Sequence, residues 1–422
     1  MTSPALSHVG LESSPQTRKA FVGGTERAAN PVQTVRAARA MAPRVGITRV
    51  ADITGLDTIG LPVFAVVRPN SRSVSVAQGK GATTIEAEAS GLMEAIEAYH
   101  AEHTQVPLLL QSHAELARSF PVVSVAGLAQ VSGGCFHREH PLLWAQGEDL
   151  LGDATVMVPY ECVHTDFRLP LPSGSGSFLM SSNGLASGNA LIEATLHGLY
   201  ELIERDGNTL WSLAGPSHQA RQRVDPASVT DQRCRAVLDL FENAGMDVGI
   251  WETTSDIGVA AFVCTLIERD AFKPRRMPPT HGAGCHLRRS IALLRALTEA
   301  AQSRLTIISG ARDDLDSTRG YADHSVVAQN GRQQLSTSPA NAGRAFNDAP
   351  DTAYDTFEQD LAFVRGRLEA CALRQVVRVD LTRPELGVPV VKMIVPYLEG
   401  MSAVPGYLPG PRGRRAMADR QA

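Results

Sequence analysis

Residues 187–206, SGNALIEATLHGLYELIERD, place Glu193, Glu201 and Glu204 on one stripe of an amphipathic helix. At about 100° per residue these carboxylates and His197 fall within a sector of roughly 80°, while Leu196, Leu199, Leu202 and Ile203 take the other side. Like charges stacked on a helix face cost about a few tenths of a kcal/mol each even when solvated. A cation resolves that repulsion, and hard carboxylate oxygens are what Mg2+ takes when it is bound together with nucleotide phosphates. A solvated helix face is the competing explanation for any one such stripe.

The arrangement recurs. In TTIEAEASGLMEAIEAYHAEH, Ser90, Glu94 and Glu97 form an i, i+4, i+7 stripe opposite Leu92, Ile96 and Tyr99. In SIALLRALTEAAQSRLTI, Arg295, Glu299 and Gln302 share a face, and Leu293, Leu297, Ala300 and Leu305 turn away from it. Solvated helices mix lysine with glutamate for i, i+4 support, and none of these three helices contains a lysine. The pattern favours one shared acidic site over three separate wet surfaces.

Arginine outnumbers lysine heavily, and the chain's lysines stand only at 19, 80, 273 and 392. Lys80 sits between Gly79 and Gly81, read here as a turn before the first acidic helix. From such a turn it could reach phosphate beside the amides of a helix N-terminus, or simply be a turn lysine. The spacing is not that of a Walker A loop. Six cysteines, at 135, 162, 234, 264, 285 and 371, include no C-x-x-C pair, so reduced thiols are expected and a structural zinc is not. Cys285 lies in the glycine-rich GAGCH segment, where a catalytic role is a minor alternative.

The chain has 422 residues, 43% of them hydrophobic, enough for a sizeable core. A formal net charge of −4 gives no broad basic footprint for nucleic acid. No apolar run approaches the roughly 18–20 residues that cross a bilayer, and MTSPALSHVGLESSPQ lacks the pattern of a signal peptide. A cytoplasmic location is expected. Residues 1–40 are polar, alanine-rich and aperiodic, and are expected to form a partly disordered arm. From residue 41 to 415, strand-like pieces alternate with helices, which predicts a mixed α+β fold forming one catalytic unit. Residues 313–352 read as a mobile loop, and 416–422 as a flexible tail.

Four ordered segments carry a resemblance to the YcaO-domain family. The first is S-x-x-x-E-x-x-E at Ser90, Glu94 and Glu97. SNGLASGNALIEATLHGLYELIERD (182–206), HGAGCHLRRSIALLRALTEAAQSRLTIISGARDDL (281–315) and the weaker GVPVVKMIVPYLEG near the C-terminus are the others. The family's first motif commonly ends Glu-Arg, whereas Ala98 follows Glu97 here. The resemblance implies a YcaO-type ATP-binding fold with strand and acidic-helix units around one Mg2+-nucleotide site.

It also implies residue roles. Glu94, Glu97, Glu193, Glu201 and Glu204 are candidates for Mg2+ coordination. Lys80, Ser90, Arg205, Arg295, Glu299, Gln302 and Arg304 are candidates at the nucleotide. Ser182, Asn183 and Asn189 would add polar contacts, with a helix cap as the alternative role of Asn189. His197 is expected as a hydrogen-bonded structural histidine, and Arg304 has an ion pair with Asp313 or Asp314 as its alternative. No residue is assigned as the catalytic base.

The implied reaction is ATP-dependent activation of a peptide backbone amide by O-phosphorylation. Thioamide formation with a TfuA-type partner is the leading expectation, because the tail VPGYLPGPRGRRAMADRQA does not end in alternating prolines and no fused peptide-docking domain is seen. An azoline-forming cyclodehydratase with a separate docking protein is the second reading, and a non-catalytic peptide-binding scaffold the third. A homodimer is plausible for a soluble enzyme of this type.

Overall fold

The computed structural model describes residues 17–134, 136–269, 277–310, 343–400, 402 and 406–420. Four antiparallel sheets and three long acidic helices dominate them. Strands β1 (Phe21–Val22) and β2 (Glu26–Arg27) form a small ribbon ahead of helix α1 (Pro31–Met41). Strands β3 (Arg49–Asp52), β4 (Val63–Val67) and β5 (Val76–Lys80) form a meander in sequence order, followed directly by α2 (Thr84–Glu102). Then come β6 (Leu108–Ser112), the single turn α3 (His113–Leu116), β7 (Pro141–Asp149), β8 (Ala154–Pro159) and β9 (Leu185–Ser187). Helix α4 (Leu191–Leu213), the short α5 (Pro216–Arg221) and α6 (Gln232–Asn243) precede a second meander, β10 (Met246–Glu252), β11 (Ala261–Glu268) and β12 (Thr280–Cys285). Helix α7 (Arg289–Ser309), α8 (Phe357–Ala370), β13 (Val377–Asp380), β14 (Val390–Ile394) and α9 (Pro411–Asp419) complete the order.

The largest sheet runs β6-β7-β13-β14-β9, with β8 also paired to β7. Each acidic helix lies on a sheet: α2 on β4 and β5, α4 on β14 and β9, and α7 on β12 and β11. Thr83 starts α2 with a capping box to Glu86, which satisfies two end groups that would otherwise lack partners. The apolar sides of these helices fill three cores. Leu92 and Ile96 pack with α1 and the first meander, Leu293 and Leu297 with α6 and the second, and Leu199 and Ile203 with α8 and β14.

Small residues set how closely helix and sheet approach. A Cβ placed on Gly79 of β5 would stand 2.0 Å from the Gly91 nitrogen of α2, and one on Gly282 of β12 would stand 2.2 Å from the Ala300 nitrogen of α7. The glycines that resemble loop punctuation in QGKG and HGAGC are therefore strand residues under a helix. This corrects the turn expected at Lys80 and gives an element to a segment that had none. Lys80 ends a strand instead of occupying a turn, and the GAGC segment is β12.

The N-terminal stretch also departs from its expectation. Residues 1–16 lie outside the described residues, but from Thr17 onward the chain is built into β1, β2 and α1, the last capped by Asn30. The expected loop 313–352 falls mostly outside the described residues, while Phe346, within it, is buried in the second core. Helix α9 runs through Asp419, so residues 416–419 of the expected tail are helical.

Overpacking at Gly79 meets backbone atoms that cannot swing aside. Gly79→Ala should lower the unfolding free energy by at least about 1–3 kcal/mol in urea denaturation. Gly366, inside α8, has no atom within 4 Å of a built Cβ. Gly366→Ala should instead raise it by about 0.5–1 kcal/mol.

Candidate active site

The polar stripes of α2, α4 and α7 face a single cleft of about 610 Å³. Ser90, Glu94 and Glu97 reach it from α2, and Glu193, His197, Glu201, Glu204 and Arg205 from α4. Arg295, Glu299 and Gln302 reach it from α7, Lys80 from the end of β5, and Ser182 and Asn189 from the segments around β9.

Burial leaves much of the acidic charge unmet. The Glu97 carboxylate accepts the Ser187 N–H at 2.7 Å, yet burial first, then Glu201 and Glu94, push its pKa well above the usual range. Burial likewise raises Glu201, against Arg205 at 3.7 Å. Glu204 is pushed up to about 7 by burial, with Glu299 adding to the effect and Arg205, also at 3.7 Å, opposing it. Glu299 differs: burial acts upward, but Lys80, 2.8 Å away, and Arg205 hold it below the usual carboxylate range. His197 accepts from Arg295 at 3.1 Å, and burial together with Arg295 keeps it neutral.

These features fit a divalent cation shared with an anionic ligand. Among the described residues, no three His, Cys, Asp or Glu side chains gather tightly enough to hold a metal ion alone. Acids on facing walls can instead supply part of a coordination sphere that phosphate oxygens complete, the mode Mg2+ favours. The cleft also holds Lys80, Arg205 and Arg295, and the buried Arg295 Nε has no hydrogen-bond partner. An anion would satisfy it.

Several candidates take other roles. Glu193 is already engaged by the Ala28 N–H at 2.9 Å, Arg27 at 3.3 Å and the Asn189 amide at 3.3 Å, so it clips the N-terminal segment to α4. Asn189 is no helix cap, since Ala190 holds that position; its Oδ1 accepts from Thr34 at 2.8 Å. Asn183 does not line the cleft. Arg304 does not either: it is buried against Asp57 at 2.9 Å and Glu268 at 3.2 Å, which replaces the expected nucleotide role. Its alternative partners, Asp313 and Asp314, lie outside the described residues. Gln302 donates to the Gln78 carbonyl, tying α7 to β5.

Sequence reasoning missed several cleft neighbours. Arg27 and Thr34 line it from the segment expected as an arm, and Gln78 from β5. Lys392 lies buried on β14, where burial lowers its pKa to about 8 while Glu201 and Glu97 act to raise it. A lysine inside the apolar strand VVKMI was the available signal.

The layered helices and acid-lined cleft define a mixed α+β protein with the architecture of a metal-nucleotide site. The chain belongs to the YcaO family: the model described as YcaO cyclodehydratase, ATP- and Mg2+-binding, matches residues 78–399. An uncharacterized protein encoded in the tfuA 3' region of Rhizobium leguminosarum bv. trifolii is 38% identical over 89% of this chain and 89% of its own. One from Methanothermobacter thermautotrophicus is 35% identical over 90% of this chain and 96% of its own. In fold, the chain is similar to the YcaO protein of Methanopyrus kandleri solved with AMPPCP and Mg2+, at TM-score 0.73 and 21% identity over 93% of this chain and all of that one. A heterocyclase solved with substrate and cofactor matches at TM-score 0.74 and 22% identity, covering 92% of this chain but only 54% of that one. No helix among the described residues is long and apolar enough to cross a membrane.

A carboxyl raised to about 7 in the fold binds its proton more tightly there than in the unfolded chain. The protein without metal should therefore lose stability as pH rises from about 4.5 to 7, where the unfolded Glu204 is already ionised. In urea unfolding at pH 8, Glu204→Gln should stabilise the metal-free protein by about 1–3 kcal/mol and flatten that decline. Arg304→Ala should destabilise it by about 3–5 kcal/mol by removing the guanidinium that pairs with buried Asp57 and Glu268.

Proposed function

We propose that this protein activates a peptide backbone amide by O-phosphorylation, using ATP and Mg2+, and replaces the amide oxygen with sulfur to give a thioamide. The observation that carries the reading is the convergence of acids from α2, α4 and α7 on one cleft that also holds Lys80, Arg205 and Arg295. The relative encoded beside tfuA supports thioamide formation with a TfuA-type partner over the other reactions of the class.

In this reading Glu94, Glu97, Glu201 and Glu204 hold Mg2+. Arg205, Arg295 and Lys80 face the phosphates, and Ser90, Ser182 and Gln302 contribute polar contacts. Glu193 and Asn189 position the N-terminal wall. Bound ATP with Mg2+ supplies the phosphoryl group and offsets its charge. An amide carbonyl is a poor electrophile and its oxygen a poor leaving group; once phosphorylated, that oxygen departs as phosphate after sulfur adds to the carbon. The protein's work is positioning and charge stabilisation.

Azoline formation differs only in the nucleophile, a neighbouring Cys, Ser or Thr side chain. Arg412 of α9 is ion-paired to Asp206 at 2.8 Å and to Asp256, which ties the C-terminal segment down against α4.

The test is the mass of a precursor peptide incubated with protein, ATP, Mg2+ and sulfide, with and without a TfuA-type protein from the same genome. A gain of about 16 Da at one residue marks oxygen-to-sulfur exchange, and a loss of about 18 Da marks cyclodehydration. The gain is expected, and Glu201→Gln should abolish it. A loss would establish the azoline reading, and an unchanged peptide with intact nucleotide binding would favour a scaffold.

A further inference from the structure

The cleft is not uniform along its length. Strand β5 and helix α2 run in opposite directions past it, so the end of β5 lies by the start of α2. Lys80, with Glu299 beside it, marks that end. Val76 begins the strand, four residues and about 13 Å away. Val74 lies beyond it, toward the later turns of α2 that carry Glu94 and Glu97.

At this far end the lining changes character. Val74 and Phe167 both line the cleft, and both are open to solvent, at 43% and 45%. Met93 and Ala98 of α2 add apolar side chains to the lining of the cleft. A single exposed apolar side chain is ordinary, but two on the lip of an acidic cleft call for a contact surface.

The lip is also held still. The Phe167 N–H donates to the Arg72 carbonyl at 3.1 Å, joining its loop to the one that carries Val74. Arg72 donates to Asp166 Oδ2 at 3.1 Å and to the Glu102 carbonyl at 2.9 Å, and Arg168 donates to both Asp166 oxygens, at 2.8 and 2.7 Å. The hydrogen bonds from Arg168 lower the Asp166 carboxyl to about 2, so it is charged at neutral pH. Ser71 and Ser73 donate to the Glu102 carboxylate, fixing the second loop to the end of α2. Six polar residues thus fix the backbone beside an aromatic ring left facing water. Such preorganisation lowers the ordering cost of binding.

We infer that Val74 and Phe167 form a subsite for an apolar side chain of the peptide substrate, next to the amide presented to the acids. The inference rests on the proposed amide-activating function and adds to it a direction and a preference. The peptide enters at the Val74 and Phe167 end, the nucleotide phosphates lie toward Lys80, and peptides with a large apolar residue flanking the target amide are selected.

The test uses the full chain with AMPPCP and Mg2+ and a defined library of capped hexapeptides, with affinity selection read by mass spectrometry. The wild type should enrich peptides bearing Leu, Met, Phe or Trp at least about fivefold over those bearing Ser or Asp at the same position, about 1 kcal/mol by the usual conversion. Phe167→Ser, a change at an exposed position, should abolish that enrichment, and Phe167→Trp should preserve it. AMPPCP affinity, measured separately by calorimetry, should stay within about twofold in both variants because Lys80 and the acids are untouched. Unchanged enrichment in Phe167→Ser, or no apolar preference in a wild type that binds AMPPCP, would overturn the subsite. Absence of Mg2+-dependent AMPPCP binding would instead bring down the amide-activation reading, and the subsite with it.

Discussion

Repulsion among buried carboxylates is the constraint on which the rest of this structure depends. Glu97 comes from α2 and Glu201 and Glu204 from α4, and folding carries all three out of water into one cleft. Taken alone, that arrangement opposes folding, because each acid is desolvated beside others of the same sign. The cores beneath the three helices must outweigh the penalty. They do so with tightly seated apolar faces, Leu92 and Ile96 under one stripe, Leu199 and Ile203 under the second, Leu293 and Leu297 under the third. The glycines at 79 and 282 serve the same end, since close seating of α2 and α7 on their strands fixes where Glu94, Glu97 and Glu299 project.

The cations in and around the site divide into two kinds. Arg205 and Lys80 lie among the acids and moderate the repulsion without removing it, as the raised carboxyls of Glu201 and Glu204 show. Arg304, Arg412 and Arg72 are spent on structural ion pairs that anchor a helix, the C-terminal segment and the lip of the cleft. Ala98 stands where related chains commonly place arginine, and Lys392 from β14 lies close enough to couple with Glu97 and Glu201 from below. The positive charge beneath the acids therefore comes from a strand far along the chain.

The acidic stripes were legible because a helix repeats every 3.6 residues, so composition and spacing alone decide which side chains share a face. That Glu94, Glu201 and Glu299 face the same space was supplied by family resemblance together with the absence of lysine from all three helices. What escaped reading depends on tertiary partners. Arg304 meets Asp57, 247 positions earlier, and nothing local to α7 announces that pair. The N-terminal stretch takes part of its order from Glu193 and Asn189, which hold Arg27, Ala28 and Thr34 from outside, while Val35, Ala38 and Met41 of the short helix α1 pack into the first core. Strand β12 was hidden because its glycines serve helix packing, whereas in isolation glycine signals a loop.

The central claim is that acids from three helices form one cation-dependent nucleotide site. Calorimetric titration of AMPPCP with and without Mg2+, on the wild type and on Glu201→Gln, tests it most directly. Binding at least about tenfold tighter with Mg2+ in the wild type, with that advantage lost in Glu201→Gln, is the result the account predicts. Equal affinity with and without Mg2+, unchanged by Glu201→Gln, would contradict it.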